Sequence, residues 1–400
     1  MFKNLFLLIF GSAILVFAGC NKHAVTISSD PVKVELTVWE SANGPDEFIR
    51  QAGDAYTNLY PHVTIKFVNV DLRDSVEQIA LNGPANVGPD LFAAPHDRLG
   101  ELVTNGHVLP TANADSIKDK LLDACLAAAT YNGVQYGYPV SAETYALFYN
   151  KALIQESEVP KTWTAMITYI KNFKIQDKYA FLMDVGNAYY SIIFTTKGGN
   201  RLFGPDGTDT QNTNLNSKAS VAGMEFFQSI RQVLSVPAAN ISTSLADGIF
   251  QAGNAAMYIS GPWNIRGFVN AGLDIGIAPL PSLPGENTPA ASFSGTRLMF
   301  VSAYSNHPDE ANNFGVFLVS PKMQQLRANI TNTLPAIDVP TGNPYAAGFV
   351  EQLKYAFPMP SVPSMKKFWD AMNTASENIW NGANVKLELD ACNDLIVAGD

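Results

Sequence analysis

The sequence predicts an α/β protein folded as two lobes, and three observations carry that reading. Strand and helix patterns alternate through the first third of the chain, which favours a parallel sheet with helices on its faces. Roughly 370 of the 400 residues follow the N-terminal segment, enough for two domains with sizeable cores. Shifts of composition then mark three crossings between the lobes.

The alternation is read element by element. VELTVW (34–39) alternates apolar and polar residues as a strand does, and Phe48, Ala52, Tyr56 and Leu59 follow at helical spacing. VTIKFVNV (63–70) is a second strand, RDSVEQIALNG a helix, and DLFAAP (90–95) a third strand. HDRLGELVTNG starts another helix, with Asn-Gly as its stop. The result is an open βαβαβ unit. The first crossing falls near residue 141, where YGYPVSAETYALFYNK passes from an extended segment into a new strand. A helix-rich region, 162–260, follows, with PKTWTAMITYIKNF as an amphipathic helix. GIAPLPSLPGENTPAA (276–291) reads as a loop, TRLMFVSA resumes as a strand, and LPAIDVPTGNP (334–344) is a further Pro/Gly-rich break before the last helices. Gly198, Gly199 and Gly204 read as turns.

The first residues carry Lys3, an apolar run from Leu5 to Phe17, and small residues Ala18 and Gly19 before Cys20. The run is shorter than the ~20 apolar residues a spanning helix needs, so residues 1–19 read as a secretory signal peptide. Val16-Phe17-Ala18-Gly19-Cys20 resembles the lipobox of bacterial lipoproteins, with Phe17 where Leu is usual. That resemblance makes Cys20 the lipidated N-terminus and places the protein on the outer face of the cytoplasmic membrane, or in the periplasm. Residues 20–32 are polar and read as a tether.

A formal charge of −10, with no basic stripe, argues against a nucleic-acid partner. Cys125 and Cys392 lie inside helical patterns far apart in sequence. They fit no metal motif, and both a disulfide and two buried thiols are compatible with them. The five His are scattered, and no P-loop, GxSxG or strand-borne GxGxxG is present. Neither a metal nor a cofactor is expected.

Ligands of open α/β sheets bind where strands end and helices begin. Trp39, Glu40 and Ser41 follow the first strand, and His96, Asp97 and Arg98 follow the third. Glu143 sits in the first crossing, and Trp263 follows AAMYIS and a Gly261-Pro262 turn. A saccharide presents apolar C–H faces and a rim of hydroxyls, so its site needs flat aromatic rings and in-plane charged groups. Asp97, Arg98, Glu143, Trp263 and Trp369 supply both. The plainer readings are a solvated helix start for Asp97-Arg98 and core packing for the two tryptophans. Asp97 and Glu143 could also serve as a glycosidase pair, an alternative that needs a defined separation.

From Val34 onward the chain resembles the extracellular solute-binding proteins of ABC sugar importers, within them the maltose/maltodextrin-binding group. The stretches that carry the likeness are LTVW, GPDLFAAPHDRLGELVTNG, YNGVQYGYPVSAETYALFYNKALI, PKTW, AAMYISGPW and MPSVPSMKKFWDAM. The resemblance implies a periplasmic-binding-protein-like fold with a three-segment hinge. The first lobe would comprise 33–142 and 293–336, the second 143–292 and 337–400. It implies no enzyme, a monomer, an oligosaccharide ligand in the interlobe cleft and a membrane permease as partner. It implies ligand contacts from Ser41, Asp74, Asp97, Arg98, Glu143, Tyr190, Trp263, Met359 and Trp369. Ala94, Ala188 and Asn373 depart from that pattern, standing where a stacking Trp, a carboxylate and an Arg are usual. Trp39 or Tyr145 could replace the missing ring, and the departures leave another oligosaccharide or a polyol open as ligand.

Overall fold

The structure, a computed structural model, describes residues 32–234 and 236–398. The signal segment, Cys20 and residues 20–31 of the tether lie outside the described residues. The strands in chain order are β1 (Val34–Glu40), β2 (Val63–Asn69), β3 (Leu91–Pro95), a short hairpin of β4 (Thr130–Tyr131) and β5 (Val134–Gln135), and β6 (Tyr138–Thr144). They continue with β7 (Ala146–Asn150), β8 (Tyr179–Leu182), β9 (Ala255–Ser260), β10 (Ile275–Ala278), β11 (Phe293–Val301) and β12 (Phe357–Pro358).

Two sheets organise an α/β fold of two lobes. The first runs β12-β11-β3-β1-β2, with β6 on the other edge of β11. β1, β2 and β3 pair in parallel, as the alternating pattern predicts, whereas β11 is antiparallel to β3 and β6. The second sheet runs β10-β7-β9-β8. Side chains alternate across the first sheet with a period of two. Val34, Leu36 and Val38 join Leu91, Ala93, Met299 and Val301 on one face, and Trp39, Phe92, Ala94, Leu298 and Phe300 pack on the other. Both faces are buried, so apolar residues crowd these strands.

The chain leaves the first sheet at Tyr145, between β6 and β7, and returns along residues 279–292 to β11. The predicted loop 276–291 is therefore three residues too long at its start. Ile275 and Gly276 are buried and pair with Asn150 and Tyr149, and the Pro and Gly further on hid this alternation. After β11 the helices Pro308–Leu318 and Pro321–Thr331 lie near β6. The last helices, Met365–Trp380 and Val385–Val397, pack on Ala188–Thr195 and Lys218–Ile230. Cys125 and Cys392 are both free and buried, which removes the disulfide. No described helix is long and apolar enough to cross a membrane.

Candidate functional site

The ends of β1, β3 and β6 bring carboxylates together with rings from the second lobe. Pro95 ends β3 and a 3-10 turn, His96–Arg98, follows. His96 holds this turn in place. Its Nδ1 accepts from the Thr296 amide at 3.1 Å, and its Nε2 donates to the Met359 carbonyl at 2.9 Å. With one nitrogen accepting, the ring is neutral, and burial lowers its pKa accordingly. Asp97 is 4% exposed, and its Oδ2 accepts from Trp369 Nε1 at 2.9 Å. Burial raises the Asp97 pKa; the indole N–H and Arg98 pull the other way without cancelling it.

Tyr189 stands at the centre of an aromatic cluster. Its ring centroid lies 4.7 Å from Tyr145, 6.2 Å from Trp263 and 6.5 Å from Trp369. Trp263 and Trp369 are half-buried and pack on the second-lobe core, so each combines a packing role with an accessible surface. Burial pushes the Tyr189 phenol well above its ordinary 10, and Tyr145, Tyr190, Glu143 and Asp97 add to this. Asp97, after β3, and Glu143, near the end of β6, thus meet these rings at one place. The turn that presents Trp263 depends on Gly261, because a Cβ there would come within 2.0 Å of the Trp263 ring. Asn264 braces the same turn by donating to Asp247 Oδ1 and to Ser260 Oγ at 2.9 Å.

Other expected residues stand differently. Tyr190 is 2% exposed, packed edge-on against Tyr145. Successive residues of a helix point about 100° apart, so Tyr190 turns into the core and its neighbour Tyr189 enters the cluster. The sequence showed both tyrosines but nothing to rank them. Arg98 is committed within its own lobe, with Nη2 at 2.8 Å from both Glu77 and Glu101. Asp74 is exposed before the helix Ser75–Asn82 and makes no capping bond. Met359 is buried against Gly295. Trp39 belongs to the first-lobe core beside Ala94, and Tyr145 is fully buried, so neither provides an open ring in place of the missing one. The other two departures meet each other: Asn373 Oδ1 accepts from the Ala188 amide at 2.7 Å. With Asn187, which accepts from the Tyr189 amide, it caps the helix that presents Tyr189.

Behind Ser41 and Glu143 lies a buried charge network that sequence reading did not find. Glu40, on the inward face of β1, accepts from Arg297 Nη1 at 2.7 Å and Arg327 Nη2 at 3.2 Å. Burial opposes its ionisation, but the two guanidiniums and the Ser41 amide outweigh that and hold its pKa below the ordinary 4.5. Ser41 Oγ accepts from Arg297 at 3.1 Å, and Glu143 accepts from Ser141 at 3.0 Å. Among the described residues no group of three or more His, Cys, Asp or Glu could hold a metal.

Comparison with known proteins accords with this architecture. A galactooligosaccharide-binding protein of Bacillus subtilis (strain 168) is 31% identical over 394 residues, covering 94% of this chain and 92% of its own. A maltodextrin-binding protein of the same organism is 28% identical, covering 88% and 86%. A crystal structure of a cyclo/maltodextrin-binding protein complexed with maltotetraose superposes with a TM-score of 0.78 at 31% identity, covering 92% of this chain and 97% of that one. These relatives are solute-binding proteins and not enzymes, which sets aside the glycosidase alternative for Asp97 and Glu143. Residues 51–344 match the bacterial extracellular solute-binding proteins, and the chain belongs to that family.

Proposed function

We propose that the protein captures an oligosaccharide of the maltodextrin type and passes it to the membrane permease of an ABC importer. One observation carries this reading: Trp263, Trp369 and Tyr189 of one lobe meet Asp97 of the other, with Glu143 at the crossing between them. Rings of this kind take the apolar faces of sugars, and carboxylates accept their hydroxyl protons. The lobes divide at 142/143, 292/293 and 336/337, and their movement about these segments encloses the sugar and excludes water. Ligand favours the closed arrangement only by its extra affinity for it. Ser41 and Met359 line the same cleft, and Asp74 lies at its rim. Cys20 carries the lipid that tethers a monomeric protein to the outer face of the membrane.

The galactooligosaccharide-binding relative, matched over nearly the whole chain, favours a second reading in which the sugar is a galactooligosaccharide. A thermal-shift screen of maltose, maltotriose, maltotetraose and galactooligosaccharides separates the two, since a ligand of the native state raises apparent stability by mass action. The first reading requires the largest shift from maltotriose or maltotetraose, and a shift confined to galactosides replaces it with the second.

A further inference from the structure

Arg297 stands where the two site edges of the first lobe meet. On β11 it lies opposite Pro95 of β3 and Ser141 of β6, and the pairing with β6 shifts register between Arg297 and Leu298. Such irregularities next to functional sites re-aim a side chain. Its Nη1 bridges Glu40 Oε1 and Ser41 Oγ, and its Nε lies 3.6 Å from Glu143 Oε1. That distance is too long for a hydrogen bond, and Nε is buried with no partner among the described residues. Glu40 is in turn pinned from its other oxygen by Arg327, so the guanidinium has a rigid base.

We propose that Arg297 is a positioning and specificity-determining residue of the cleft. It holds the Ser41 hydroxyl and the Glu143 carboxylate in register for one sugar hydroxyl, and its unpaired Nε–H complements that hydroxyl's oxygen. The proposal rests on the oligosaccharide reading above. A hydroxyl that donates to Glu143 while accepting from Arg297 makes two charge-assisted bonds, which strengthen each other in a desolvated cleft. Arg98 does not play this part, because its Nε and Nη2 already serve Glu77 and Glu101. Lysine would not serve at Arg297 either, since a point charge cannot reach Glu40, Ser41 and Glu143 as a planar fork does.

The test is calorimetric titration with maltotriose or galactotriose, whichever the unaltered protein binds more tightly. If the unaltered protein takes neither, the oligosaccharide reading fails and Arg297 is not at issue. Given binding, Arg297→Lys is expected to lower affinity at least about tenfold, and Glu143→Gln to do likewise. The double variant should lose little beyond the larger single loss, because the two groups act on one hydroxyl. Affinity of Arg297→Lys within twofold of the unaltered protein, or losses that multiply in the double variant, would overturn the proposal. Should Arg297→Lys fail to fold, Arg297→Gln leaves Glu40 paired with Arg327, so that no buried charge is stranded. That variant must show the same loss and the same coupling to Glu143→Gln, and a melting temperature measured alongside separates a folding defect from a binding one.

Discussion

Trp369 Nε1 donates to Asp97 Oδ2 across 2.9 Å, tying the second turn of the helix Met365–Trp380 to the turn after β3. A sugar hydroxyl bound by Asp97 competes with this indole N–H. Trp369→Phe keeps a ring and removes the donor, whereas Trp369→Ala removes both. Aromatic contacts are worth about 0.5–1.5 kcal/mol beyond their buried area, so the alanine variant should bind at least about tenfold more weakly, and the phenylalanine variant should lose less. Titration calorimetry of the two variants checks this, and equal losses would assign the effect to the N–H.

Asp97 should trade stability for binding. Its pKa is raised above 3.8, chiefly by burial, so its charged form is penalised in the folded state. Below the unfolded value the group is neutral in both states and costs nothing. The penalty grows as pH rises through 3.8 to the raised value and is constant above it. Asp97→Asn is thus expected to match or exceed the parent's melting temperature at pH 7, with that advantage vanishing in acid, while oligosaccharide affinity falls. A variant less stable at pH 7 than in acid, relative to the parent, would contradict the sign.

Glu40 behaves in the opposite sense. Its folded pKa lies below 4.5, so its contribution is present above that value and is lost as pH falls through the lowered one. Glu40→Gln leaves Arg297 and Arg327 buried without their carboxylate, and breaking such a pair costs about 3–5 kcal/mol. Urea unfolding at pH 7 should show a loss of that size, shrinking as the solution is acidified below 4.5.

The β strands of the first lobe were legible because apolar and polar residues alternate in VELTVW and because a parallel sheet buries both faces of FAA. The charge network was not, since Arg297 and Glu40 stand 257 residues apart and no local pattern joins them. Asp97, Glu143 and Trp263 were singled out by residue type and by their places at element ends or crossings, and Trp369, inside a helix, by residue type and the resemblance. Tyr189 was not separable from Tyr190, because only the helix phase decides which of two adjacent rings faces the cluster. Asn373 and Ala188 looked like two independent departures, yet one side chain bonds the other's amide. That contact yields its own expectation: Asn373→Ala should cost about 0.5–2 kcal/mol, as loss of a helix cap does, measured by chemical unfolding.

Gly261 should tolerate no side chain without cost. A Cβ would meet the Trp263 ring within 2.0 Å, and overpacking of this kind costs about 1–3 kcal/mol. Gly261→Ala is expected to displace the ring and weaken oligosaccharide binding. In a Trp369→Phe background, the emission lost on Trp263→Phe separates the Trp263 signal from that of the buried Trp39, Trp163 and Trp380 and reports the displacement, and an unchanged emission with unchanged affinity would show that the ring has room to move.

Calorimetric titration of the protein and of its Trp263→Ala/Trp369→Ala double variant with maltooligosaccharides and galactooligosaccharides tests most directly whether sugar lies between these rings and the Asp97 and Glu143 carboxylates. The predicted result is one saturable site in the parent and at least about a hundredfold weaker binding in a double variant that remains folded. A double variant with parental affinity, or a parent that takes up neither class of sugar, would contradict the account.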